Sequence, residues 1–386
     1  MLFTSTDFVS LKLPPGIDTL RRELRAFLDE QRAAGRFHPH VGHGEFDPQF
    51  SEALGARGWI GMTWPRQYGG HERSYLERFV VTEELLAAAA PVAAHWFADR
   101  QTGPSLLRWG TEAQRLKFLP AIAAGRCYFA IGMSEPNSGS DLASVRTRAT
   151  QTDGGWVLNG QKVWTSWAHK AHAMFVLCRT SPLGEKKHEG LSQLIVDLKS
   201  PGVKTRPIRF LNGDHHFNEV FFDDVFVPDD MVLGTIGQGW RQVTSELALE
   251  RSGPERYMNT LPLYFAVIDA LKSSADRMAA QLIGTLLARF VSIRTMSLAI
   301  ANEFGREEVP DLATEAALVK DIGTHFEREI TEAARALIAC TPRLEGGTDI
   351  ERYLAEATIF SPIGTIRGGT TQVLRSIVAK RLGAQQ

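Results

Sequence analysis

A glycine-rich run near the C-terminus contains residue types that can bind a cofactor. Residues 368–372 read Gly-Gly-Thr-Thr-Gln and precede a stretch with helical periodicity. Glycine lets the backbone approach a ligand closely, and the N-terminus of a helix offers free N–H groups to a cofactor or its phosphates. The same run could instead be a loop in which Thr370 is the N-cap of the helix. Both interpretations fit the sequence.

Histidines form the second group of residues that could do chemistry. His38, His40 and His43 lie close together, and neutral imidazoles suit zinc, copper or nickel. They occupy a connection that is rich in proline and glycine, without a nearby cysteine, and His215 and His216 lie beside a turn. We therefore predict that the protein has no metal site.

The composition is that of an ordinary globular protein. The 386 residues include 43 Lys+Arg and 44 Asp+Glu, and 44% are hydrophobic, which excludes disorder, collagen and a disulfide scaffold. A net charge of -1 gives no attraction to nucleic acid or to an anionic membrane. The three cysteines are widely spaced, and the sequence shows no signal-peptide pattern and no uninterrupted apolar stretch of membrane-spanning length. Together with the net charge, these features predict a cytoplasmic protein that binds neither nucleic acid nor a membrane.

Periodicity divides the chain into three parts. Apolar residues recur at three-to-four spacing up to about residue 125, and again from Gly239 to Leu382. Between them lie short runs with period two or β-branched character, separated by turns at Asp153-Gly154-Gly155 and Asn212-Gly213. This predicts an α+β multidomain fold with a helical domain (1–125), an antiparallel β-barrel or sandwich (126–235) and a C-terminal helical domain (236–386).

Common nucleotide-binding and hydrolase motifs are absent. The chain has no G-x-G-x-x-G and no G-x-x-x-x-G-K-[ST], and its strands do not alternate with helices. It also lacks H-E-x-x-H and G-x-S-x-G. A bound cofactor would therefore be held in a different way.

Residues 132–144 carry a specific signature. They read Gly-Met-Ser-Glu-Pro-Asn-Ser-Gly-Ser-Asp-Leu-Ala-Ser and resemble the signature of acyl-CoA dehydrogenases. Further segments resemble that family in the expected order, at 55–70, 110–125, 158–168, 218–228 and 366–383. The resemblance covers almost the whole chain. It implies a helical N-terminal domain, a middle β-domain and a C-terminal four-helix domain, FAD as cofactor, and oxidation of an acyl-CoA thioester to its trans-2-enoyl-CoA.

The resemblance also implies which residues contact FAD. The backbone of Met133, together with Ser134, matches positions that face the hydrogen-bonding edge of the isoalloxazine. Trp164 matches an aromatic wall, and Ser166 matches a hydroxyl that approaches N5, where a donor stabilises the arriving negative charge. Taken singly, each serine could be a turn residue and Trp164 could pack in the core. Their combined spacing, however, favours a role in binding the cofactor. Four further positions match FAD contacts: Gly139, Ser140, Thr370 and Gln372. Ser140 also matches a position near the acyl-CoA.

Removing the α-hydrogen of a thioester requires a carboxylate beside that carbon. Many family members carry it in a Tyr-Glu-Gly-Thr element, where this chain has Arg367-Gly368-Gly369-Thr370. A branch that includes the long-chain and isovaleryl enzymes carries it in a Glu-Arg pair on another helix, and this chain has Glu250-Arg251 there. The resemblance therefore implies Glu250 as the base and Arg251 as an orienting partner. It also implies that the backbone N–H of Gly368 bonds to the thioester oxygen.

The sequence around Glu250 adds a local expectation. Pro254 has no N–H for the carbonyl of Glu250, so we expect the helix to bend or loosen there. Glu255 is the rival carboxylate, and on a regular helix it would point away from Glu250. Either residue could be a solvated helix charge. We predict Glu250 as the base and retain Glu255 as the alternative.

Two departures from the family concern cofactor and partners. Residues 273–294 lack the Arg-x-x-Phe-Gly element, and 344–349 replace the Gly-Gly-x-Gly-Tyr element. In this respect the chain resembles a bacterial branch of steroid side-chain and ring-acid degraders, some of which are heteromers. The resemblance implies an electron-transfer flavoprotein as acceptor and a homo-oligomer (dimer or tetramer) or a heteromer. Two alternatives remain: a flavin oxidase or monooxygenase, and a non-catalytic subunit of a heteromeric dehydrogenase.

Overall fold

The computed structural model describes residues 12–42, 44–182, 184–306, 308 and 310–383. The predicted order of helices, then strands, then helices is confirmed. The helices are α1 (Ile17–Ala33), α2 (Pro48–Ala56), α3 (Tyr75–Ala87), α4 (Ala93–Phe97), α5 (Gly103–Trp109), α6 (Glu112–Ala123), α7 (Gly239–Arg251), α8 (Leu261–Leu271), α9 (Arg277–Glu303), α10 (Ala313–Leu337), α11 (Asp349–Gly364) and α12 (Thr371–Arg381). The strands are β1 (Phe129–Gly132), β2 (Arg148–Thr152), β3 (Gly155–Ser166), β4 (Ala173–Arg179), β5 (Leu191–Asp197), β6 (Val203–Arg209), β7 (His215–Pro228) and β8 (Val232–Leu233).

The chain divides into two compact units. The first, which we call the helical unit, comprises Met1–Glu45, Arg73–Pro91 and Ala248–Gln386. The second, which we call the sheet unit, comprises Phe46–Glu72 and Val92–Leu247.

The sheet unit contains one sheet, which has eight strands in the described part of the chain. Its order is β6-β7-β3-β2-β4-β5-β8, with β1 beside β4. Most pairs are antiparallel, as predicted, but β4 is parallel to β1, with Phe129 opposite Ala173, and to β2, with Arg148 opposite Arg179. Parallel neighbours need a long connection, and the β2–β3 hairpin forms part of the connection between β1 and β4.

Two glycine-containing turns confirm the predicted hairpins. Asp153 and Gly154 connect β2 to β3, and Asn212 and Gly213 lie between β6 and β7. Gly154 and Gly213 have φ values of 71° and 86°, which a residue with a Cβ rarely adopts. The residue types at these two turns therefore predict the pairings of β2 with β3 and of β6 with β7 correctly.

In the helical unit, α10 is the central helix and packs against α8, α9, α11 and α12. Its residues Val319, Phe326 and Ile330 are buried at spacings of seven and four residues, as expected for a helix with an apolar face. They belong to one hydrophobic core that also includes side chains of α8, α9 and α11. This core holds the C-terminal helices together around α10.

Helix α9 is long and apolar enough, by length and composition alone, to cross a membrane. Its side chains Leu286, Ile293 and Ile300, however, belong to the core of the helical unit. Arg294 of the same helix forms an ion pair with Glu83 of α3. We therefore interpret α9 as a core helix of this unit.

A buried histidine in the sheet unit predicts acid sensitivity. Burial lowers the pKa of His95 to about 4, although Asp99 opposes this shift, and the His95 Nδ1 lies 2.8 Å from the Ser51 hydroxyl. Between pH 6.5 and 4 the unfolded chain binds a proton that the folded chain does not, so stability falls as pH falls through this window. We expect a loss approaching ~1.4 kcal/mol per pH unit from this residue.

The variant His95→Gln should reduce this slope of the unfolding free energy, measured by denaturant titration from pH 7 to pH 4. His188→Gln, at an exposed position, is the matched control and should leave the slope unchanged. An unchanged slope in His95→Gln would show that other groups cause the acid sensitivity.

Candidate functional site

The helix that carries the predicted base ends directly after it. Helix α7 ends at Arg251, and Pro254–Arg256 forms a separate 3₁₀ turn. The break predicted from Pro254 is thus present. Because the helix does not continue, the regular-helix argument about the direction of Glu255 does not apply.

Arg256 holds the Glu250 side chain. Its Nη2 donates to Glu250 Oε1 at 2.7 Å, and its Nε donates to the carbonyl oxygen of Glu250 at 2.9 Å. Glu255 Oε1 lies farther from Arg256, 3.9 Å from Nε. The Arg256 side chain is 5% exposed and that of Glu250 21%, so a buried cation orients a more accessible carboxylate. Sequence reasoning missed Arg256, although the repeated Glu-Arg pair at 250–251 and 255–256 was a signal.

Gly368 lies beside Glu250. Its φ is +64°, and a Cβ built on it would lie 3.0 Å from Glu250 Oε1 and 3.3 Å from Arg256 Nη2. Arg251 Nε donates to the carbonyl oxygen of Gly368 at 2.9 Å. Among the residues that the structure describes, none accepts a hydrogen bond from the Gly368 N–H. The structure therefore brings the predicted base, its Arg partner and the predicted backbone donor together in the helical unit.

Thr370 and Gln372 begin the last helix of the same unit. Thr370 is the N-cap of α12, and its hydroxyl accepts a hydrogen bond from Val373 N at 3.4 Å. Gln372 lies in the first turn and is exposed. The N-cap interpretation is thus correct for Thr370, and the exposed amide of Gln372 is available to a ligand.

In the sheet unit, the predicted flavin-contacting residues gather at a β-bulge. The register of β3 against β7 shifts between Lys162 and Thr165. Trp164, within this bulge, has a φ of 60° and is 57% exposed. Val163 N donates to the carbonyl oxygen of Ser134 at 2.9 Å, which ties the segment after β1 to the bulge. The structure therefore groups Met133, Ser134, Trp164 and Ser166.

A buried ion pair supports this group. Lys162 is fully buried, and its Nζ lies 2.9 Å from both the Met133 carbonyl oxygen and Glu135 Oε1. Glu135 also accepts hydrogen bonds from the backbone N–H groups of Arg146 and Thr147 at 2.6 and 2.8 Å. Burial would raise the pKa of Glu135, but Lys162 and these donors outweigh it and the pKa is lowered. The carboxylate is therefore stable in its charged form, and the segment is fixed.

The sheet-unit residues fit the polar edge and the ring of a flavin. The hydroxyls of Ser134 and Ser166 have no hydrogen-bond partner within the described residues, so both can serve a ligand. The exposed indole of Trp164 provides a flat apolar surface beside them. Thr165 Oγ1 is buried without a partner in this part of the chain. This set of donors and an aromatic ring suits an isoalloxazine.

Gly139 and Ser140 lie in the turn that follows this segment, and both are exposed. A Cβ on Gly139 would meet no atom within 4 Å. The protein itself therefore does not require glycine at 139 for space.

The histidines singled out as possible metal ligands lie on two segments of the chain, and His216 of β7 is next to Phe217, which pairs with Ser166. His38 is exposed, His40 Nδ1 lies 3.4 Å from the His38 carbonyl oxygen, and His43 lies outside the described residues. His215 Nε2 pairs with Asn218 Oδ1 at 2.8 Å, and His216 stacks on Trp167. Within the described ranges, no three potential metal ligands come together.

Comparisons with known proteins bear on what these groups do. The family model described as "Acyl-CoA dehydrogenase, N-terminal domain" matches residues 15–126. The model described as "Acyl-CoA dehydrogenase, middle domain" matches residues 130–225. The two models together match more than half of the chain.

Similar proteins come from mycobacteria. Acyl-CoA dehydrogenase IpdE1 of Mycobacterium tuberculosis is 34% identical over 382 residues, which cover 95% of this chain and 97% of that relative. Acyl-CoA dehydrogenase FadE34 of the same organism is 34% identical over 339 residues, which cover 86% of this chain. The match spans only 45% of the length of FadE34.

Two solved structures are similar over nearly the whole chain. One, described as "Tcur3481-Tcur3483 steroid ACAD", has a TM-score of 0.83 and 29% identity and covers 98% of this chain and 100% of that chain. The other is the ChsE4-ChsE5 complex from Mycobacterium tuberculosis, with a TM-score of 0.81 and 27% identity, covering 98% and 100%. Both share the order of helical, β-sheet and helical domains.

Proposed function

Because the chain belongs to the acyl-CoA dehydrogenase family of oxidoreductases, which binds FAD, we propose that it dehydrogenates an acyl-CoA thioester to the trans-2-enoyl-CoA with FAD as its cofactor. One observation carries this proposal. Glu250 Oε1 lies 3.0 Å from the point where a side chain at position 368 would begin. Many family members carry their base at the position that matches 368, so Glu250 would supply a carboxylate at the same place from another helix.

Each residue beside Glu250 has a defined task in this proposal. Glu250 removes the α-proton of the thioester, and the free N–H of Gly368 bonds to the thioester oxygen as negative charge develops there. Arg256 orients the carboxylate, and Arg251 holds the carbonyl of Gly368. FAD, when bound, accepts the hydride that leaves the β-carbon. The buried Glu255 remains the alternative base, but Arg256 holds Glu250 more closely.

The resemblance to the family suggests which residues of each unit would hold FAD. Met133, Ser134, Trp164 and Ser166 would contact the isoalloxazine, which their free hydroxyls and exposed indole support. Thr370, Gln372, Gly139 and Ser140 would make further contacts, and Ser140 would also lie near the acyl-CoA. We assign no metal to the protein.

The relatives suggest substrate and partners. Because one similar structure is a steroid enzyme and another a complex of two proteins, we propose a ring-containing acyl-CoA as substrate and an oligomer, either of identical chains or of two kinds. An electron-transfer flavoprotein would accept the electrons. The three cysteines are free, which supports the proposed cytoplasmic location.

The first experiment is an anaerobic visible spectrum of the purified protein before and after addition of straight, branched, cyclic and steroid acyl-CoAs. We expect a yellow protein that one thioester bleaches, and that thioester defines the substrate class. A flavin that no thioester reduces would overturn the proposal and favour a non-catalytic subunit of a heteromer. Rapid oxygen consumption after reduction would indicate an oxidase instead.

A further inference from the structure

A buried lysine closes the loop that carries Gly368. Lys320 lies on α10 and is fully buried. Its Nζ donates to the carbonyl oxygen of Gly364, the last residue of α11, at 3.0 Å. It also donates to the carbonyl oxygen of Gly369, just before α12, at 2.8 Å. One ammonium group thus binds both ends of the loop Gly364–Gly369.

This loop needs such a restraint. Gly368 and Gly369 have φ values of 64° and 100°, and glycine has more conformational freedom than any other residue. Each peptide unit is planar, so a bond that fixes a carbonyl oxygen also fixes the orientation of the next N–H. Lys320 fixes the peptide units at the two ends of the loop, and Arg251 fixes the one after Gly368. The Gly368 N–H lies between these fixed points.

We propose that Lys320 is a positioning residue, whose ammonium group holds the Gly364–Gly369 loop so that the Gly368 N–H stays directed at the thioester oxygen beside Glu250. This inference rests on the proposed dehydrogenation. Lys320 itself touches neither substrate nor cofactor in this role. It acts through the two carbonyl oxygens that it binds.

The charges around Lys320 support a functional reason for its position. Burial, together with repulsion by Arg256, Arg367 and Arg251, lowers the pKa of Lys320 to about 7, although Glu250 opposes this shift. A lysine in such surroundings stabilises the fold poorly, because its charge is desolvated and faces other cations. Perturbed groups of this kind concentrate at functional sites. In this position Lys320 forms hydrogen bonds to the carbonyl oxygens of Gly364 and Gly369 in the loop.

The test compares Lys320→Met with Arg375→Met in the FAD-containing protein. Arg375 of α12 bonds to Asp321 of α10 at 3.0 Å, so its loss removes a neighbouring link between α10 and α12 without touching the loop carbonyls. If Lys320→Met does not fold, Lys320→Gln, which keeps N–H donors without charge, replaces it. Circular dichroism checks the fold of each variant.

Two measurements decide the inference. Hydrogen exchange of the peptide that contains 365–370 should be about tenfold faster in Lys320→Met and unchanged in Arg375→Met. With the thioester that bleaches the wild type, kcat for flavin reduction should fall about 10- to 100-fold while KM stays within about threefold, because the Gly368 bond strengthens in the transition state. Unchanged exchange, an unchanged kcat, or an equal kcat loss in Arg375→Met would overturn it.

The exchange measurement needs no substrate. If no thioester reduced the wild-type flavin, the proposed dehydrogenation would fail, and the role of Lys320 in positioning the Gly368 N–H for that reaction would fail with it. Exchange would then still decide whether Lys320 holds the loop.

Discussion

Glu250→Gln is expected to keep the fold and the FAD and to lower the rate of flavin reduction by the thioester by at least about 10³-fold. The glutamine side chain has the same size, and its amide oxygen can still accept the hydrogen bond that Arg256 Nη2 donates at 2.7 Å. It cannot, however, accept a proton from the α-carbon. Anaerobic stopped-flow absorbance of the flavin measures this rate.

Glu255→Gln is the matched control, because it removes a carboxylate near the same arginine, 3.9 Å from Arg256 Nε. We expect its rate to stay within about tenfold of the wild type, since the Glu255 carboxylate does not take the α-proton in this proposal and would act only indirectly. The reverse result, a fast Glu250→Gln and a slow Glu255→Gln, would transfer the role of the base to Glu255.

Lys162→Met should abolish tight FAD binding and destabilise the sheet unit. The change removes the donor to Met133 and leaves the 8%-exposed Glu135 without its ammonium partner. Breaking a buried ion pair in this way typically costs about 3–5 kcal/mol. FAD content after purification and the melting temperature of the protein measure the two effects.

Lys204→Met, at an exposed position of β6, is the control and should change neither quantity. The double variant Lys162→Met/Glu135→Gln should recover part of the stability, because no buried charge is then left alone. It should not recover FAD binding, since Met133 still lacks its donor. Normal FAD content in Lys162→Met would contradict the role assigned to this pair.

Local features of the fold could be predicted from the sequence because neighbouring residues determine them. Pro254 predicted the end of α7, and Gly154 and Gly213 predicted hairpin turns. The parallel pairing of β1 with β4 could not be predicted this way. It depends on strands that are separated by a hairpin, and no local residue type encodes that neighbour.

In the candidate site, too, some residues could be predicted from the sequence and others could not. The resemblance led to Glu250 and Gly368, and the structure brings both together. Lys320 was missed because it contacts the loop across more than 40 residues of sequence and lies on a helix with an ordinary amphipathic pattern. Lys162 was missed because a lysine within a strand is typical of a solvent-facing position, whereas here it is buried.

The proximity of Glu250 to position 368 limits which residues the chain can carry there. A side chain at 368 would be strained at the φ of +64°, and its Cβ would lie 3.0 Å from Glu250 Oε1. A carboxylate at 368 would also place two like charges at one site, so that one of them would take up a proton more readily. The position of Glu250 thus explains why glycine suits position 368.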